Sequence, residues 1–207
     1  MTMRPVVHVV EDDPSSRKAT ARALRTSGHE VELYASADEF LTRMPEGPGC
    51  LVLDLELPGA SGLDLQERLT AGPNPLPVVF LSGRGDVPKT AQAMKAGAVD
   101  FLEKPVSASV LLEAVARALV QDVEARTLRE RKRELLSRYE TLTPREREVL
   151  PRVVTGQLNK QIAFDFGTTE HTVKVHRRRI MEKLGADSVA DLVRMAADLG
   201  IPVGKLP

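Results

Sequence analysis

The sequence predicts an α/β fold with a doubly wound, five-stranded parallel sheet, followed by a smaller all-α domain of four helices. Short apolar runs of strand length alternate with helix-length segments over the first half of the chain, which predicts the sheet. The charge balance changes sign along the 207 residues: residues 1–120 carry 12 Lys and Arg against 16 Asp and Glu, and residues 121–207 carry 17 against 13. We therefore expect an acidic domain over 1–120, a helical linker over 121–140 and a basic domain over 141–207.

Three of the five predicted strands are apolar throughout, as strands covered by helices on both faces are. The second strand alternates polar and apolar residues, which predicts a position at the edge of the sheet. The strands are expected over 6–10, 31–34, 51–55, 77–81 and 99–102, and the helices around them over 15–27, 61–70, 86–97 and 106–119.

The linker segment is rich in charge and contains neither Gly nor Pro, which predicts a solvent-exposed helix that continues from the preceding domain. Leu128, Leu135 and Leu142 are seven residues apart. This spacing leaves a second interpretation open, in which the linker is a dimerising coiled coil.

Four helices are predicted after the linker. Thr143, Pro144 and Glu146 have the spacing of a helix start with a capping box, and this helix is expected to end near Gly156. The other three are expected over 159–166, 170–184 and 188–199, with a tight turn at 167–169. Two short helices across such a turn, the second rich in cations, form a helix-turn-helix pattern.

The cysteine and histidine content excludes several classes of site. Cys50 is the only cysteine, which excludes internal disulfides and cysteine clusters, favours a reducing compartment and predicts a role as core filler. His171 and His176 are five apart, so they do not form an i,i+4 ligand pair. We find no signal peptide and no stretch of 18 apolar residues, so we expect a cytoplasmic protein with no membrane partner.

Acidic side chains follow two of the predicted strands: Glu11 and Asp12 after the first, and Asp54 at the end of the third. Because the carboxyl ends of parallel strands meet at one edge, we expect these carboxylates to lie together. Three oxygen donors of this kind suit Mg²⁺. Ser82 after the fourth strand and Lys104 after the fifth add a hydroxyl and a cation. Such a set stabilises a phosphoryl group during transfer.

Each of these residues has an ordinary interpretation when it is taken alone. Asp54 would be a turn residue, residues 11–13 helix caps, Lys104 a surface cation and Ser82 a loop former. Their occurrence together, at the ends of four strands, favours a single functional site.

Residues 4–120 resemble the receiver domain of bacterial two-component response regulators, which has a flavodoxin-like fold. The resemblance rests on Val-Glu-Asp-Asp at 10–13, Leu-Asp-Leu-x-Leu-Pro-Gly at 53–59, Leu-Ser-Gly-x-Gly-Asp at 81–86, Ala-x-Lys-Ala-Gly-Ala-x-Asp-Phe at 93–101 and Glu-Lys-Pro at 103–105. It implies that Asp54 accepts a phosphoryl group from a sensor histidine kinase.

The same resemblance implies roles for the other site residues. The Mg²⁺ ligands would be Glu11, Asp12, Asp54 and the carbonyl of Glu56. Ser82 and Lys104 would bind the phosphoryl oxygens, Phe101 would move inward behind Ser82, and Lys104–Pro105 would be a cis peptide. Two positions depart from the family pattern: Glu11 stands where aspartate is commoner, and Ser82 where threonine is. The longer Glu11 is expected to contact the metal through water.

The cationic helix over 170–184 has two different faces. Val173, Ile180 and Leu184 share one face, near His176 and Arg177, and should pack inward. Lys174, Val175, Arg178 and Met181 should lie on the outer face, where cations and a small apolar group can meet base edges in a major groove. A basic solvated helix without a DNA target is the simpler alternative.

Residues 141–196 resemble the LuxR-type helix-turn-helix domain, with Leu-Thr-Pro-Arg-Glu-Arg-Glu-Val-Leu at 142–150, Asn-Lys-Gln-Ile-Ala at 159–163 and Thr-Val-Lys-Val-His at 172–176. The resemblance implies base contacts from Lys174, Val175 and Arg178, and phosphate contacts from Lys160, Thr172, Arg177 and Arg179. Pro151 stands where the family has an ordinary residue, which predicts a kink or a distorted turn in the first helix.

The two halves together resemble a FixJ/NarL-type response regulator, a transcription factor and not an enzyme. Phosphorylation of Asp54 would promote homodimerisation and binding to double-stranded DNA, and RNA polymerase is a further candidate partner. We expect the dimer interface on the surface that carries Lys95, Asp100 and Arg117, where cross-molecule ion pairs would form.

Three alternatives belong to other classes. A phosphohydrolase of the haloacid dehalogenase type requires Asp-x-Asp-x-Thr, and residues 54–58 lack the second Asp and the Thr. A DNA-binding scaffold with an inactive receiver is disfavoured because none of the phosphorylation residues is missing. A dinucleotide site is weaker, since Gly83-Arg84-Gly85 lacks the third glycine.

Overall fold

The computed structural model describes residues 4–83 and 87–203, and the chain divides into two compact units, Met1–Arg126 and Thr127–Pro207. The first unit contains a five-stranded parallel sheet with the order β2-β1-β3-β4-β5, which confirms the predicted fold and the edge position of β2. Its strands are β1 (Val6–Val10), β2 (Glu30–Tyr34), β3 (Gly49–Asp54), β4 (Val78–Ser82) and β5 (Asp100–Glu103).

Helices cover both faces of this sheet, because β1, β3 and β4 are apolar and almost wholly buried. The helices are α1 (Pro14–Thr26), α2 (Ala37–Thr42), α3 (Gly62–Ala71), α4 (Val87–Lys95) and α5 (Ala108–Glu140). The sequence did not predict α2, because its six residues are too few to show a helical period. Residue 86, the predicted first residue of α4, lies outside the described residues.

The two faces of the sheet form two apolar cores. One core includes Phe40, Leu65 and Phe80, and the other includes Leu24, Leu111 and Val115. Cys50 is fully buried in the second, as predicted. None of the helices in the described ranges combines the length and the apolar content that a bilayer crossing demands.

Helix α5 runs without a break to Glu140, so the linker continues the helix of the preceding domain, as the sequence predicted. The last buried residue of this helix is Asp122, which is 1% exposed. It accepts a hydrogen bond from the backbone N–H of Gly49 at 2.9 Å. Arg126 donates from Nε to both carboxylate oxygens of Asp122, at 2.8 and 2.9 Å, and its other nitrogens bind the carbonyls of Glu46 and Gly47. These contacts attach residues 122–126 of the helix to residues 46–49, where the chain enters β3.

The second unit contains four further helices, α6 (Pro144–Val154), α7 (Asn159–Asp165), α8 (Glu170–Leu184) and α9 (Val189–Asp198). Leu142 is buried in the core of this unit and Leu135 packs against it, whereas Leu128 is exposed. Two of the three leucines therefore pack within the chain, and a coiled-coil seam through all three is not available.

Pro151 lies inside α6, and the helix continues past it to Val154. Because proline has no N–H, it cannot donate to the carbonyl of Arg147, one turn earlier. The helix tolerates this loss and keeps its predicted capping box: Thr143 Oγ1 accepts from the N–H of Glu146, and Glu146 accepts from the N–H of Thr143.

Candidate functional site

The predicted acidic residues meet at the carboxyl edge of the sheet. Strand β3 lies between β1 and β4, with Val10 paired to Leu53 and Asp54 paired to Leu81, so Glu11 and Asp54 emerge side by side. One oxygen each of Glu11, Asp12 and Asp54 lies within 4.8 Å of the others. Glu11 and Asp54 are buried, whereas the side chain of Asp12 is exposed.

Lys104 joins two of these carboxylates. Its ammonium donates to Oε2 of Glu11 at 2.5 Å and to Oδ2 of Asp54 at 2.8 Å. Burial opposes the charge on Lys104, but the hydrogen bonds to Asp54 and Glu11 outweigh burial and raise its pKa. The backbone N–H of Lys104 donates to the carbonyl of Ser82 at 2.7 Å, and the following bond to Pro105 is cis.

The backbone around Asp54 is also constrained. The N–H of Glu56 donates to Oδ1 of Asp54 at 3.1 Å, and the side chain of Glu56 is exposed. Gly62, the first residue of α3, approaches so closely that a Cβ atom there would lie 2.5 Å from the carbonyl oxygen of Asp54. Glycine at this position lets α3 pack directly on the strand end that carries Asp54.

Two residues that the sequence did not indicate support the acidic loop from α1. Ser16 Oγ donates to Oε2 of Glu11 at 2.8 Å, and Arg17 donates to the carbonyls of Glu11 and Asp12 at 2.6 and 3.1 Å. Asp13 caps α1, since its carboxylate accepts from the N–H of Ser16. Of the acidic run 11–13, only Asp13 has the ordinary capping role, and the other two carboxylates belong to the cluster.

Ser82 and Phe101 lie on adjacent strands. Ser82 is fully buried at the end of β4, next to Leu81, the register partner of Asp54. Phe101 is paired with Phe80 in the sheet, with ring centroids 6.1 Å apart, and is only partly buried. Ser82 thus lies at the strand ends that carry the carboxylates. Phe101 lies on β5 two residues before Glu103, the register partner of Ser82, and packs beside Phe80.

The donor set fits a hard divalent cation. Three carboxylates face one ammonium, so two negative charges are left without a partner in the cluster. Burial raises the pKa of Glu11, hydrogen bonds from Lys104 and Ser16 oppose this, and Asp54 adds to it. A divalent cation would relieve this repulsion, and all-oxygen donors of this kind suit Mg²⁺.

Two of the three expected dimer residues, Asp100 and Arg117, have partners within the chain. Arg117 on α5 forms an ion pair with Asp100 on β5, whose other carboxylate oxygen accepts from the N–H of Phe101 at 2.8 Å. Lys95, the last residue of α4, is exposed. Ion pairs between molecules through Asp100 or Arg117 would therefore have to replace a pair that already exists within one molecule.

The second unit has the helix-turn-helix geometry that the sequence predicted. Residues 166–169 join α7 to α8, Gly167 adopts a positive φ of 59°, and Thr169 caps α8 by accepting from the N–H of Thr172. The guanidinium groups of Arg145 and Arg152 lie 3.9 and 4.8 Å from the centroid of the Phe166 ring. These cation–π contacts fix the turn on α6.

Helix α8 buries Val173, Ile180 and Leu184, as predicted, and exposes Lys174, Arg178 and Arg179. Val175 and Thr172 are half-buried. Met181 differs from the prediction, because it packs against the core of the unit and not on the outer face.

Two further cations were predicted to contact phosphates. Burial lowers the pKa of Arg177, which is half-buried, and Lys160 is exposed near the start of α7. Lys160, Lys174 and Arg177 line one concave surface together with Glu170. Three of the five cations that the sequence indicated therefore share one surface of the second unit, and Arg178 and Arg179 are not part of its lining.

A parallel sheet with a lysine-bridged acidic cluster at its carboxyl edge, joined to a helix-turn-helix unit, is the architecture of a response regulator. Comparisons with known families agree: residues 7–116 match the response regulator receiver domain, and residues 140–196 match the bacterial regulatory proteins of the luxR family. The chain belongs to the two-component response regulators with a LuxR-type DNA-binding domain. Members of this family are transcription regulators and not enzymes, so the family match excludes the phosphohydrolase and dinucleotide-binding alternatives.

Individual relatives span nearly the whole chain. Nodulation protein W of Bradyrhizobium diazoefficiens is 46% identical over 199 residues, covering 96% of this chain and 88% of that protein. The transcriptional regulatory protein FixJ of Rhizobium meliloti is 42% identical over 191 residues, covering 92% and 94%. Among solved structures, the response regulator StyR is 45% identical with a TM-score of 0.81, covering 94% of this chain and 99% of that chain.

Proposed function

We propose that this regulator is switched by transfer of a phosphoryl group to Asp54, and that the phosphorylated form dimerises and binds promoter DNA. The observation that carries the proposal is the Lys104 ammonium, which donates to both Asp54 and Glu11 in a cluster that also contains Asp12. The expected donor is a sensor histidine kinase, because the chain is a two-component response regulator.

In the proposed reaction, a carboxylate oxygen of Asp54 forms a bond to phosphorus as the bond from phosphorus to the donor histidine nitrogen breaks, and that nitrogen then takes a proton from water. Mg²⁺ would neutralise charge on the phosphoryl oxygens while bound by Glu11, Asp12, Asp54 and the carbonyl of Glu56. Burial of Asp54 excludes water from most of the nucleophile, and the N–H of Glu56 holds its Oδ1.

Lys104 and Ser82 complete the proposed chemistry. The ammonium of Lys104 already lies 2.8 Å from Oδ2 of Asp54, so a small movement brings it to a phosphoryl oxygen on the same side chain. The hydroxyl of Ser82, at the end of the neighbouring strand, is the expected second donor. Movement of Ser82 towards the phosphoryl group would open space for Phe101 to turn inward, and this would alter the outer surface of β5.

We place the dimer contact on that altered surface, made by α4, β5 and α5. Lys95 is exposed there, and the Asp100–Arg117 pair within one molecule could be exchanged for pairs between molecules. A phosphate can shift this equilibrium only by the difference in affinity that it creates, so phosphorylation must measurably tighten the dimer. Two joined DNA-binding domains then bind paired half-sites more tightly, because the second contact is intramolecular.

The proposed division of the chain is a receiver over 1–120, a linker over 121–140 and a DNA-binding domain over 141–207. In the last, Lys174, Val175 and Arg178 are the proposed base readers; the proposed phosphate contacts are Lys160, Thr172, Arg177 and Arg179. A cytoplasmic location and contact with RNA polymerase follow from a promoter target.

The test of this function is labelling of the full chain with acetyl phosphate and Mg²⁺, followed by intact mass measurement. We expect addition of one phosphoryl group to the wild-type chain and none to Asp54→Asn. Asp38→Asn is the matched control, since Asp38 is an exposed acid in the first turn of α2 and should label normally. Chelation of Mg²⁺ should abolish labelling. An adduct that persists in Asp54→Asn would remove Asp54 from its role.

A further inference from the structure

The Oε2 atom of Glu11 accepts two hydrogen bonds, one from Lys104 at 2.5 Å and one from the hydroxyl of Ser16 at 2.8 Å. The side chain of Glu11 is only 3% exposed, so water offers little replacement for either donor. Ser16 is fixed in the first turn of α1, because its own N–H donates to Oδ1 of Asp13 at 2.7 Å. The hydroxyl is therefore a stationary donor, whereas Lys104 is the donor that the proposed reaction moves.

We propose that Ser16 is a positioning residue for the divalent-cation site and acts through the carboxylate of Glu11. The inference rests on the proposed function, in which Lys104 leaves Glu11 for the phosphoryl group. At that moment Oε2 would lose its charged donor, and a buried acceptor without a partner is unfavourable. The Ser16 hydroxyl keeps Oε2 bound and holds the carboxylate in one orientation towards the cation.

The length of the Glu11 side chain is what makes this contact. Ser16 is five residues further along, across the turn that leads into α1, and its hydroxyl meets a carboxylate that extends one methylene beyond that of an aspartate. In Glu11→Asp the carboxylate would withdraw by more than 1 Å, and the hydrogen bond to Ser16 would be lost. A partner group that orients a metal ligand in this way commonly affects metal affinity.

The first experiment measures Mn²⁺ binding to the full chain by electron paramagnetic resonance of the free ion, with Mg²⁺ as competitor. We expect Ser16→Ala to weaken Mn²⁺ binding by about ten- to hundredfold, the range typical for loss of a group that orients a metal ligand. Ser16→Thr keeps a hydroxyl and should bind within twofold of the wild type. Ser15→Ala is the matched control, because Ser15 is exposed in the same helical turn, and it should bind normally.

The second experiment repeats Ser16→Ala in the Glu11→Asp background. If Ser16 acts through Glu11, the substitution should change affinity by less than twofold there, since the contact no longer exists. An unchanged affinity for Ser16→Ala alone, or an equal loss in both backgrounds, would overturn the positioning role. Thermal unfolding without metal checks that each variant is folded. If Ser16→Ala does not fold, the Mn²⁺ affinity of Ser16→Thr is the test, and it must equal that of the wild type.

The inference and the proposed function fail in different ways. If Asp54→Asn still becomes phosphorylated, the proposed function is wrong, while the Mn²⁺ affinities still report on Ser16. If Ser16→Ala binds Mn²⁺ as the wild type does, the positioning role is wrong while labelling at Asp54 stands. Absence of Mn²⁺ binding by the wild-type chain would overturn the cation site and the role of Ser16 together.

Discussion

Replacement of Asp122 should destabilise the first unit more than any nearby substitution on α5. Asp122→Ala removes the acceptor of the buried Gly49 N–H and the partner of the Arg126 guanidinium. Gly49 cannot move to compensate, because its Cα is packed so tightly against Val6 that a Cβ atom would lie 2.0 Å from the Val6 carbonyl oxygen.

The magnitude follows from what is left unpaired. An unsatisfied buried N–H costs about 1–3 kcal/mol, and loss of a hydrogen bond to a charged group costs about 1.5–3 kcal/mol. Arg126 is 25% exposed and keeps the carbonyls of Glu46 and Gly47, so its contribution lies at the low end. We expect about 3 kcal/mol for Asp122→Ala. Asp122→Asn keeps one acceptor oxygen and should lose about half of that.

The assay is hydrogen exchange of the full chain measured by mass spectrometry. It resolves the first unit locally, which global unfolding of a chain with two units would not. Peptides over 47–54 and 117–126 should lose roughly 100-fold in protection in Asp122→Ala, since each 1.4 kcal/mol is about tenfold.

Glu124→Ala is the matched control for this assay. Glu124 is an exposed acid one half-turn away on the same helix, and its removal should change stability by less than about 0.5 kcal/mol. Equal loss of protection in Asp122→Ala and Glu124→Ala would refute the reasoning, because it would show that the buried contacts contribute nothing measurable.

Three other predictions concern DNA, the dimer and acid stability. Lys174→Ala should lose about 1–3 kcal/mol of discrimination against wrong bases. Arg179→Ala should weaken binding to all sequences, and the magnitude of the slope of log binding constant against log salt concentration should fall by about one. Equal losses on specific and random DNA for Lys174→Ala would remove its base-reading role. Sedimentation of the full chain should show a dimer with acetyl phosphate, and Lys95→Glu should weaken it; an unchanged monomer fraction on phosphorylation would argue against the interface. Burial disfavours the charge on Glu146, but hydrogen bonds from Lys183 and Thr143 outweigh burial and hold the pKa of Glu146 below the ordinary 4.5. The second unit should therefore lose stability as the pH falls below that value. Thermal melts from pH 7 to 3 should show a flatter pH profile for Glu146→Gln than for the wild type.

Much of the fold was predictable because its signals are local. Strand length, apolar composition and the alternation in β2 gave all five strands and the correct edge, and capping residues gave the starts of α6 and α8. The acidic cluster was predictable as well, since a parallel sheet brings the ends of neighbouring strands together whatever the loops do. The burial of Val173, Ile180 and Leu184 followed from the helical period alone.

Other features depend on which distant residues meet, and the local pattern does not contain that information. Nothing near Asp122 in the sequence indicates that it binds Gly49, 73 positions away. The hydroxyl of Ser16 looked like that of any serine in a first helical turn.

The packed structure also decided the roles of residues that the sequence placed ambiguously. Leu135 and Leu142 could form a dimer seam or join a core, and both pack in or against the core of the second unit. Met181 was predicted on the outer face of α8 and packs against the same core. Asp100 and Arg117 could form ion pairs between molecules, and they form one with each other. Sequence alone determined which chemical groups the protein presents at its strand ends and on its basic helix, because periodicity and strand order suffice for that. Only the tertiary structure decided which partner satisfies each group, because a side chain's partner is set by the packing of elements distant in the chain.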